Sequence, residues 1–276
     1  MRGVRILRPV SGSWIIAALV LLFLLSPFVV VLGASFDTAG SYHVSFPPRG
    51  LTWQWYAAIP QTYIKAAGIS LIVGIAVAVI AGLIGTTAAL GLVRSSVPGK
   101  ELLQSFFRLP VQIPLVVTGA VFLQFYWQVS AVLGWNPLNS LAGLVIAHLF
   151  VALPYVVGSV SAILVRINPR FEEAARSLGA TEWSTFWRVT FPLMRPGVAA
   201  GMFYAFIVSF GDVPIAIFLV QSERTTLPVL IFQDMQFDFR PSMLAASIIV
   251  VIASLALILA VQRFAGLDVI LPSKRK

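Results

Sequence analysis

The chain has 276 residues, of which 59% are hydrophobic and only 11% are charged, and its formal net charge at pH 7 is +9. About 25% of the residues of a soluble globular protein are charged, so this composition excludes a water-soluble domain and predicts an integral membrane protein. The sequence contains no cysteine, which excludes disulfides, thiol catalysis and cysteine-based metal sites.

Long stretches without charge predict six membrane spans, because about 20 helical residues cross the hydrocarbon core of a bilayer. The first stretch follows a basic segment, but it is longer than the core of about 7–15 residues found in signal peptides, so we interpret it as an anchored span. All six stretches are too long and too evenly apolar for barrel strands, which predicts an all-α fold. The predicted spans are 14–36, 66–93, 108–130, 140–165, 198–220 and 242–263.

Lys and Arg residues are distributed unequally between the two sides of these spans. With both termini on one side, 15 of the 19 basic residues lie on that side. The positive-inside rule therefore predicts that both termini are cytoplasmic. Topology then accounts for the net charge, and no nucleic-acid partner is predicted.

The predicted cytoplasmic loop 166–196 is longer and more regularly patterned than a simple connection. Asn168 is typical of a residue that caps a helix start, and Gly179 is typical of a residue just after a helix end. Thr181 is suited to cap a second short helix, which we expect Pro192 and Pro196 to end before the fifth span. The loop is therefore predicted to form two short helices joined at a glycine.

The first of these short helices is predicted to have an apolar stripe. Its residues are spaced i, i+3, i+4 and i+7, which places them on one face of a helix. So short a helix has few neighbours in its own chain to bury such a face, which favours docking into a groove of a partner. The stripe consists of Phe171, Ala174, Ala175 and Leu178.

The same loop contains an extended motif. It reads Glu173-Ala174-Ala175, three residues, Gly179, nine residues, and Val189-Thr190-Phe191-Pro192. This resembles the E-A-A…G…I-x-L-P signature of the permease subunits of binding-protein-dependent ABC importers, with Val and Phe in place of Ile and Leu. Further on, 206–213 and 226–228 resemble the spermidine/putrescine branch, which typically has two adjacent acidic residues where this sequence has Gly211-Asp212.

The resemblance implies the ABC importer permease fold over 1–276 as a single transmembrane domain, multi-pass in the inner membrane of a bacterium and surrounded by lipid. It implies a non-catalytic subunit that moves a small solute inward by alternating access. Its implied partners are a second permease subunit, an ATPase dimer that binds ATP and Mg, and an extracytoplasmic solute-binding protein. The residues implied to contact the ATPase are Glu173, Ala174, Ala175, Leu178, Gly179 and Pro192.

The absence of a nucleotide site agrees with this division of labour. The sequence has no G-x-x-x-x-G-K-[ST] phosphate loop, and its nearest fragment, Gly99-Lys100, has Arg94 where the first glycine is required. We therefore expect no cofactor on this chain.

Asp212 is the single acid within a predicted span. An acid at the centre of a span costs about 2.5–3.5 kcal/mol on insertion scales and usually faces protein or a water-filled cavity. Our hypothesis is that Asp212 lines the translocation pathway and meets a cationic group of the solute. The alternative is a carboxylate that bonds to neighbouring helix backbone or to Ser209.

His148 in the fourth span has no second ligand at i+3 or i+4, so no metal site is predicted and a buried structural histidine is favoured. An intramembrane enzyme would need a Ser–His pair or paired acids, which the sequence pattern does not identify. A stand-alone channel or secondary transporter is a further alternative. Within the importer class, the favoured solute is a polyamine-like amine, followed by an aminophosphonate, a carboxylate or an oxyanion.

Overall fold

A computed structural model describes residues 13–38, 46–95, 98–221, 224–237, 239 and 241–265. Apart from one β-bridge between Asp37 and Leu51, the regular structure within these residues is helical. The helices are α1 (Ser13–Ser35), α2 (Gln54–Ala57), α3 (Gln61–Arg94), α4 (Lys100–Gln112), α5 (Leu115–Leu133), α6 (Leu141–Leu164), α7 (Arg170–Ser177), α8 (Glu182–Thr185), α9 (Phe191–Phe210), α10 (Ala216–Leu219), α11 (Leu227–Phe237) and α12 (Pro241–Ala265).

Six helical stretches of the described chain are long and apolar enough to cross a membrane, which confirms the predicted all-α class and the number of spans. The stretches are α1, α3, α5, α6, α9 with the turns before it, and α12. The helices α1, α6 and α12 begin and end within two residues of the predicted spans. The helix α3 begins earlier than predicted, at Gln61, so that Lys65 lies within its first turns.

The third span differs from the predicted range 108–130. Residues up to Gln112 belong to α4, and the spanning helix α5 begins at Leu115. The break lies at Ile113, which has extended backbone with ψ 131°. A residue before proline is disfavoured in the helical conformation, so Pro114 ends α4 here. The helix α4 exposes the apolar side chains of Leu102, Phe106 and Leu109.

The start of the fifth spanning helix also differs from the prediction, because Pro192 does not end a helix. The chain is helical throughout Glu182–Phe210. Within it, Phe186–Thr190 is a π-helical segment, and the N–H of Phe191 donates to the carbonyl oxygen of Phe186. A proline ring clashes with a carbonyl in the preceding turn of a regular α-helix, and this wider turn accommodates it. Pro196 also lies within the helix, and the loop that was predicted to be cytoplasmic is correspondingly shorter than 166–196.

The end of this helix differs as well. The predicted span 198–220 is interrupted, because α9 ends at Phe210 and residues 211–215 are not helical. Pro214 lacks a backbone N–H and disfavours helix in the residue before it. The sequence had predicted that Asp212 lies inside a continuous helix. The structure instead has Asp212 in the interruption.

The chain divides into two compact units, which consist of Met1–Pro60 with Asp234–Ile252 and of Gln61–Gln233 with Ala253–Lys276. In the first unit, the rings of Phe36, Trp53 and Tyr56 contact one another with centroids 4.8–5.5 Å apart. The prediction of a single permease domain stays a prediction.

The second unit has a core made by α3, α6 and α9. All three helices approach closely at Val156 of α6. A Cβ atom on Gly85 of α3 would lie 2.8 Å from the Val156 side chain, and one on Gly201 of α9 would lie 2.8 Å from its Cα. Small residues at such crossings permit close packing of membrane helices. The helix α6 is thus held between two neighbours along its length.

The predicted cytoplasmic placement of the termini concerns residues 1–12 and 266–276, which lie outside the described residues. It stays a prediction.

Candidate functional site

The short helices α7 and α8 form from the local signals in the sequence. Asn168 Oδ1 accepts a hydrogen bond from the N–H of Arg170 at 3.0 Å, which satisfies one free donor of the first turn of α7. Gly179 has φ +86°, in the left-handed region that glycine adopts without strain. Thr181 Oγ1 accepts from the N–H of Ser184 at 3.2 Å and caps α8. The predicted first short helix and the glycine turn after it are therefore present, whereas the second helix begins at the predicted cap but continues into the spanning helix.

The apolar stripe of α7 is not covered by the described residues of this chain. Phe171 is 58% exposed and Leu178 is 89% exposed. These two side chains lie seven residues apart, two turns along one face of the helix. The other residues predicted to contact a partner behave alike: Glu173, Ala174, Gly179 and Pro192 are exposed, and Ala175 is half-buried.

The side of α7 away from this stripe is anchored to the rest of the unit through Glu172. Its Oε1 lies 3.0 Å from an Nη atom of Arg94, the last residue of α3. The same oxygen accepts a hydrogen bond from Thr190 Oγ1 at 3.1 Å, in the π-helical segment before α9. The two charged side chains are only 25% and 15% exposed, so solvent screens their attraction less than at an open surface. Glu172 thereby connects α7 to two spanning helices.

Sequence reasoning missed this anchor. The motif drew attention to Glu173, whereas the neighbouring Glu172 makes the contacts. Consecutive helical residues point about 100° apart, so of two adjacent acids only one faces the protein. Distance from the apolar stripe does not single out Glu172, because Glu173 lies still farther around the helix from the stripe. The choice of Arg94 as its partner, 78 residues earlier, has no local signature in the sequence.

Asp212 caps the interruption after α9. Its Oδ2 accepts hydrogen bonds from the backbone N–H groups of Ile215 at 3.0 Å and Ala216 at 2.8 Å. The residue is 5% exposed. A carboxylate that accepts backbone N–H groups at a helix start is stabilised by the helix dipole. These contacts are of the kind that the alternative interpretation of Asp212 described, and the pathway role stays a prediction.

His148 of α6 is fully buried beside this cap. Its Nδ1 lies 2.8 Å from Ser209 Oγ, in the last turn of α9, within hydrogen-bond distance. Its Nε2 lies 3.4 Å from Asp212 Oδ2 but is not aligned for a hydrogen bond. We treat the second contact as an electrostatic one, because the separation is short while the angle is poor. The structure therefore brings together two ionisable residues that appear isolated in the sequence.

Ser209, His148 and Asp212 form a Ser–His pair with a nearby acid, the grouping that the sequence pattern did not identify. All three are at most 5% exposed, so a substrate has no access to the Ser209 hydroxyl. Within the described residues no three His, Asp or Glu side chains are placed to hold a metal ion. The cluster thus serves contacts between helices and not catalysis.

Comparison with known proteins places these features in a family. Residues 81–267 match the model of the binding-protein-dependent transport system inner membrane component. A probable sulfate transport system permease protein of Chlorokybus atmophyticus is 32% identical over 209 residues, which cover 72% of this chain and 73% of the relative. The putrescine transport system permease protein PotI of Escherichia coli K12 is 28% identical over 246 residues, covering 87% of this chain and 86% of the relative.

A solved structure has the same fold. The crystal structure of a bacterial ABC transporter involved in the import of the acidic polysaccharide alginate superimposes with a TM-score of 0.70, covering 91% of this chain and 94% of that one at 16% identity. The fold, the motif and the family match agree. The chain belongs to the family of binding-protein-dependent transport system inner membrane components and is a non-catalytic permease subunit of an ABC importer.

Proposed function

We propose that this chain carries a small solute inward by alternating access and that α7 is its docking helix for an ATPase subunit. The observation that carries the proposal is the arrangement of α7, whose apolar stripe is open on one side while Glu172 ties the other side to Arg94. An exposed apolar face on a short helix is suited to a groove in a partner. The anchor allows a displacement of α7 to reach the membrane helices.

Within this proposal, closure of the ATPase pair moves α7. The force passes through Glu172 to the end of α3 and, through Thr190, to the start of α9. The force also passes along the chain to α6, because only five residues separate Leu164, the last residue of α6, from the start of α7. ATP and Mg bind to the partner ATPase, and a second permease subunit and a solute-binding protein complete the complex.

Replacement of the stripe tests the docking. Leu178→Gln removes an apolar contact, and burial of a Leu side chain is worth about 1.5–3 kcal/mol. We expect ATPase subunits to bind this variant at least about tenfold more weakly. Ser177→Gln is the matched control, because Ser177 is exposed on the same helix but lies outside the stripe. Equal binding of the two variants would contradict the proposal.

We also propose that the α7 side and both termini face the cytoplasm of a bacterium. Since the chain has no native cysteine, single cysteines report the topology directly. Leu178→Cys should react with a membrane-impermeant maleimide only after cells are opened, whereas Trp53→Cys should react in intact cells. The permease is produced without its ATPase subunits, and both residues are strongly exposed in the chain alone, so failure to react reports sidedness and not burial or docking.

For the solute, we propose a polyamine-like amine, with Asp212 as its contact. Two features support this choice. PotI, a putrescine permease, is similar over most of the chain, and the described hydrogen bonds of the Asp212 carboxylate involve only Oδ2. The other oxygen is left to meet a cationic group.

A second candidate is an oxyanion such as sulfate. The specific observation in its favour is that Asp212 is nearly buried and already acts as a cap, which leaves little negative charge for a cation. The probable sulfate permease of Chlorokybus atmophyticus is also similar to this chain.

One experiment separates these solutes. The complex is reconstituted with its binding protein, and ATP hydrolysis is measured with putrescine, spermidine or sulfate. We expect an amine to stimulate hydrolysis and Asp212→Asn to raise the half-saturating amine concentration at least about tenfold, as the loss of a charge contact of 1.4 kcal/mol would. Stimulation by sulfate alone, with Asp212→Asn unchanged, would favour the oxyanion.

A further inference from the structure

The cluster around His148 lies at an interruption of a spanning helix. Peptide groups that lose their helical partners inside a membrane protein must be satisfied by the protein, because lipid offers no hydrogen bonds. Here the N–H groups of Ile215 and Ala216 are satisfied by Asp212. The geometry of the interruption therefore depends on where the Asp212 carboxylate is held.

His148 contacts the chain on both sides of the end of α9. Ser209 precedes the end of α9 at Phe210, and Asp212 follows it. Nδ1 lies within hydrogen-bond distance of the Ser209 hydroxyl, and Nε2 lies 3.4 Å from the Asp212 carboxylate without hydrogen-bond alignment. One side chain of α6 thus contacts both the last turn of α9 and the residue that caps the interruption, and its full burial excludes competition from water.

The far end of the interrupted segment is tied to the turn before α6. The N–H of Asn139 donates to the carbonyl oxygen of Leu219 at 2.9 Å, at the end of α10. Its side-chain Oδ1 accepts from the N–H of Gln221 at 3.2 Å. The segment 211–221 is therefore attached at two points, by His148 to α6 and by Asn139 to the turn just before it.

We propose that His148 is a positioning residue for transport: it makes the segment 211–221 follow α6 when α7 is displaced. This inference rests on the proposed function of α7, because α6 leads directly into that helix. Without the contact between His148 and Asp212, α6 moves while the interrupted segment lags. ATP hydrolysis then continues with less movement of solute, which distinguishes a positioning role from loss of folding.

Three substitutions separate the two contacts of the ring. The amide of Asn reaches about as far as Nδ1, so His148→Asn retains a partner for Ser209 only. The amide of Gln reaches about as far as Nε2, so His148→Gln retains a partner for Asp212 only. His148→Leu removes both. Because the proposal assigns the positioning to the contact with Asp212, the nucleotide response of His148→Gln should be close to that of the wild type. The response of His148→Asn should be close to that of His148→Leu.

The readout requires no knowledge of the solute. Gly211→Cys places the single cysteine of the chain at the exposed first residue of the segment, next to Asp212 and away from the Asn139 attachment. In the full complex, its reaction rate with a maleimide is compared between the nucleotide-free state and the ADP–vanadate-trapped state. We expect the two rates to differ at least about threefold in an otherwise wild-type chain and in His148→Gln, and to be equal in His148→Leu and His148→Asn.

Tyr126→Phe is the matched control. It removes another buried hydrogen bond, the one that the Tyr126 hydroxyl donates to the carbonyl oxygen of Gly143 at 2.7 Å, and should leave the nucleotide-dependent change intact. If His148→Leu fails to assemble, the Gln and Asn pair is judged by the same criterion.

A retained change in His148→Leu, or a lost one in His148→Gln, would overturn the inference. A companion Leu178→Cys chain separates this from failure of the proposed function. If Leu178→Cys is protected by the ATPase while Gly211→Cys never responds to nucleotide, only the inference on His148 fails. If Leu178→Cys is not protected, the proposed docking itself fails.

Discussion

Two polar clusters in the second unit occupy different environments. The cluster of Arg94, Glu172 and Thr190 lies beside an exposed short helix and keeps part of its charged side chains in contact with solvent. The cluster of Ser209, His148 and Asp212 is buried and uses short side chains directed at backbone N–H groups or at each other. The first joins an exposed short helix to two spanning helices, whereas the second joins α6 to the point at which α9 ends.

Both clusters lie where a long helix is interrupted. Thr190 belongs to the π-helical segment before α9, and Asp212 follows the end of the same helix. Interruptions leave peptide groups and turns that apolar side chains cannot satisfy. These two polar clusters therefore lie at points where a helix changes geometry.

The largest expected effect separates the two adjacent acids of α7. Glu172→Ala removes the carboxylate that pairs with the partly buried Arg94. We expect this loss to destabilise the attachment of α7 by about 2–3 kcal/mol, less than the 3–5 kcal/mol for breaking a fully buried pair. Local detachment of α7 should rise by about 30-fold or more, measured as faster tryptic cleavage after Arg170 or Arg176 in the purified complex. Glu173→Ala is the control, since Glu173 is exposed. Equal cleavage of the two variants would contradict the anchoring role of Glu172.

The next effect concerns the buried cluster. Asp212→Ala removes the cap of the interruption and should lower the stability of the assembled protein by about 1–2 kcal/mol, in the range of lost helix caps. Asp212→Asn retains an oxygen for Ile215 and Ala216 and should recover most of that stability. Denaturant titration of the two variants measures the difference. If both variants are equally destabilised, the charge of Asp212 and not its capping hydrogen bonds stabilises the protein at this position.

A smaller effect is expected at the glycine between α7 and α8. Gly179 has φ +86° with open space around its Cα, so Gly179→Ala is opposed by backbone strain alone, at about 1–2 kcal/mol. We expect reduced stimulation of the ATPase. Gly179→Asn should be less impaired because Asn tolerates the left-handed region. An Ala variant as active as wild type would show that this turn is not needed.

The smallest effect is expected for the ion pair of Arg176 and Glu182. The two groups lie 3.8 Å apart, and the Glu182 side chain is 91% exposed. Exposed pairs contribute about 0–1 kcal/mol, so Glu182→Gln should leave tryptic cleavage of α7 nearly unchanged. An effect as large as that of Glu172→Ala would contradict the distinction between a buried anchor and a solvated pair.

The sequence predicted some of these features better than others, for physical reasons. Spans bounded by charges, such as α12, were placed closely because burial in lipid is a property of composition. The caps at Asn168, Gly179 and Thr181 were predictable because they act within a few residues. Whether a proline ends a helix depends on its surroundings: Pro114 does, and Pro192 does not.

The two polar clusters were beyond sequence reasoning. His148 and Asp212 are 64 residues apart, and their meeting depends on the packing of α6 against α9. The role of Glu172 required the position of Arg94 at the end of α3. Local patterns specify helix ends and faces, whereas long-range partners depend on tertiary packing.

The central claim is that α7 is the contact with the ATPase, and a single cysteine at Leu178 tests it most directly. The maleimide reaction rate of Leu178→Cys is measured with and without the ATPase subunits, with Trp53→Cys as the control. The account predicts at least about tenfold protection of Leu178→Cys and none of Trp53→Cys. Equal rates for Leu178→Cys with and without the ATPase would contradict it.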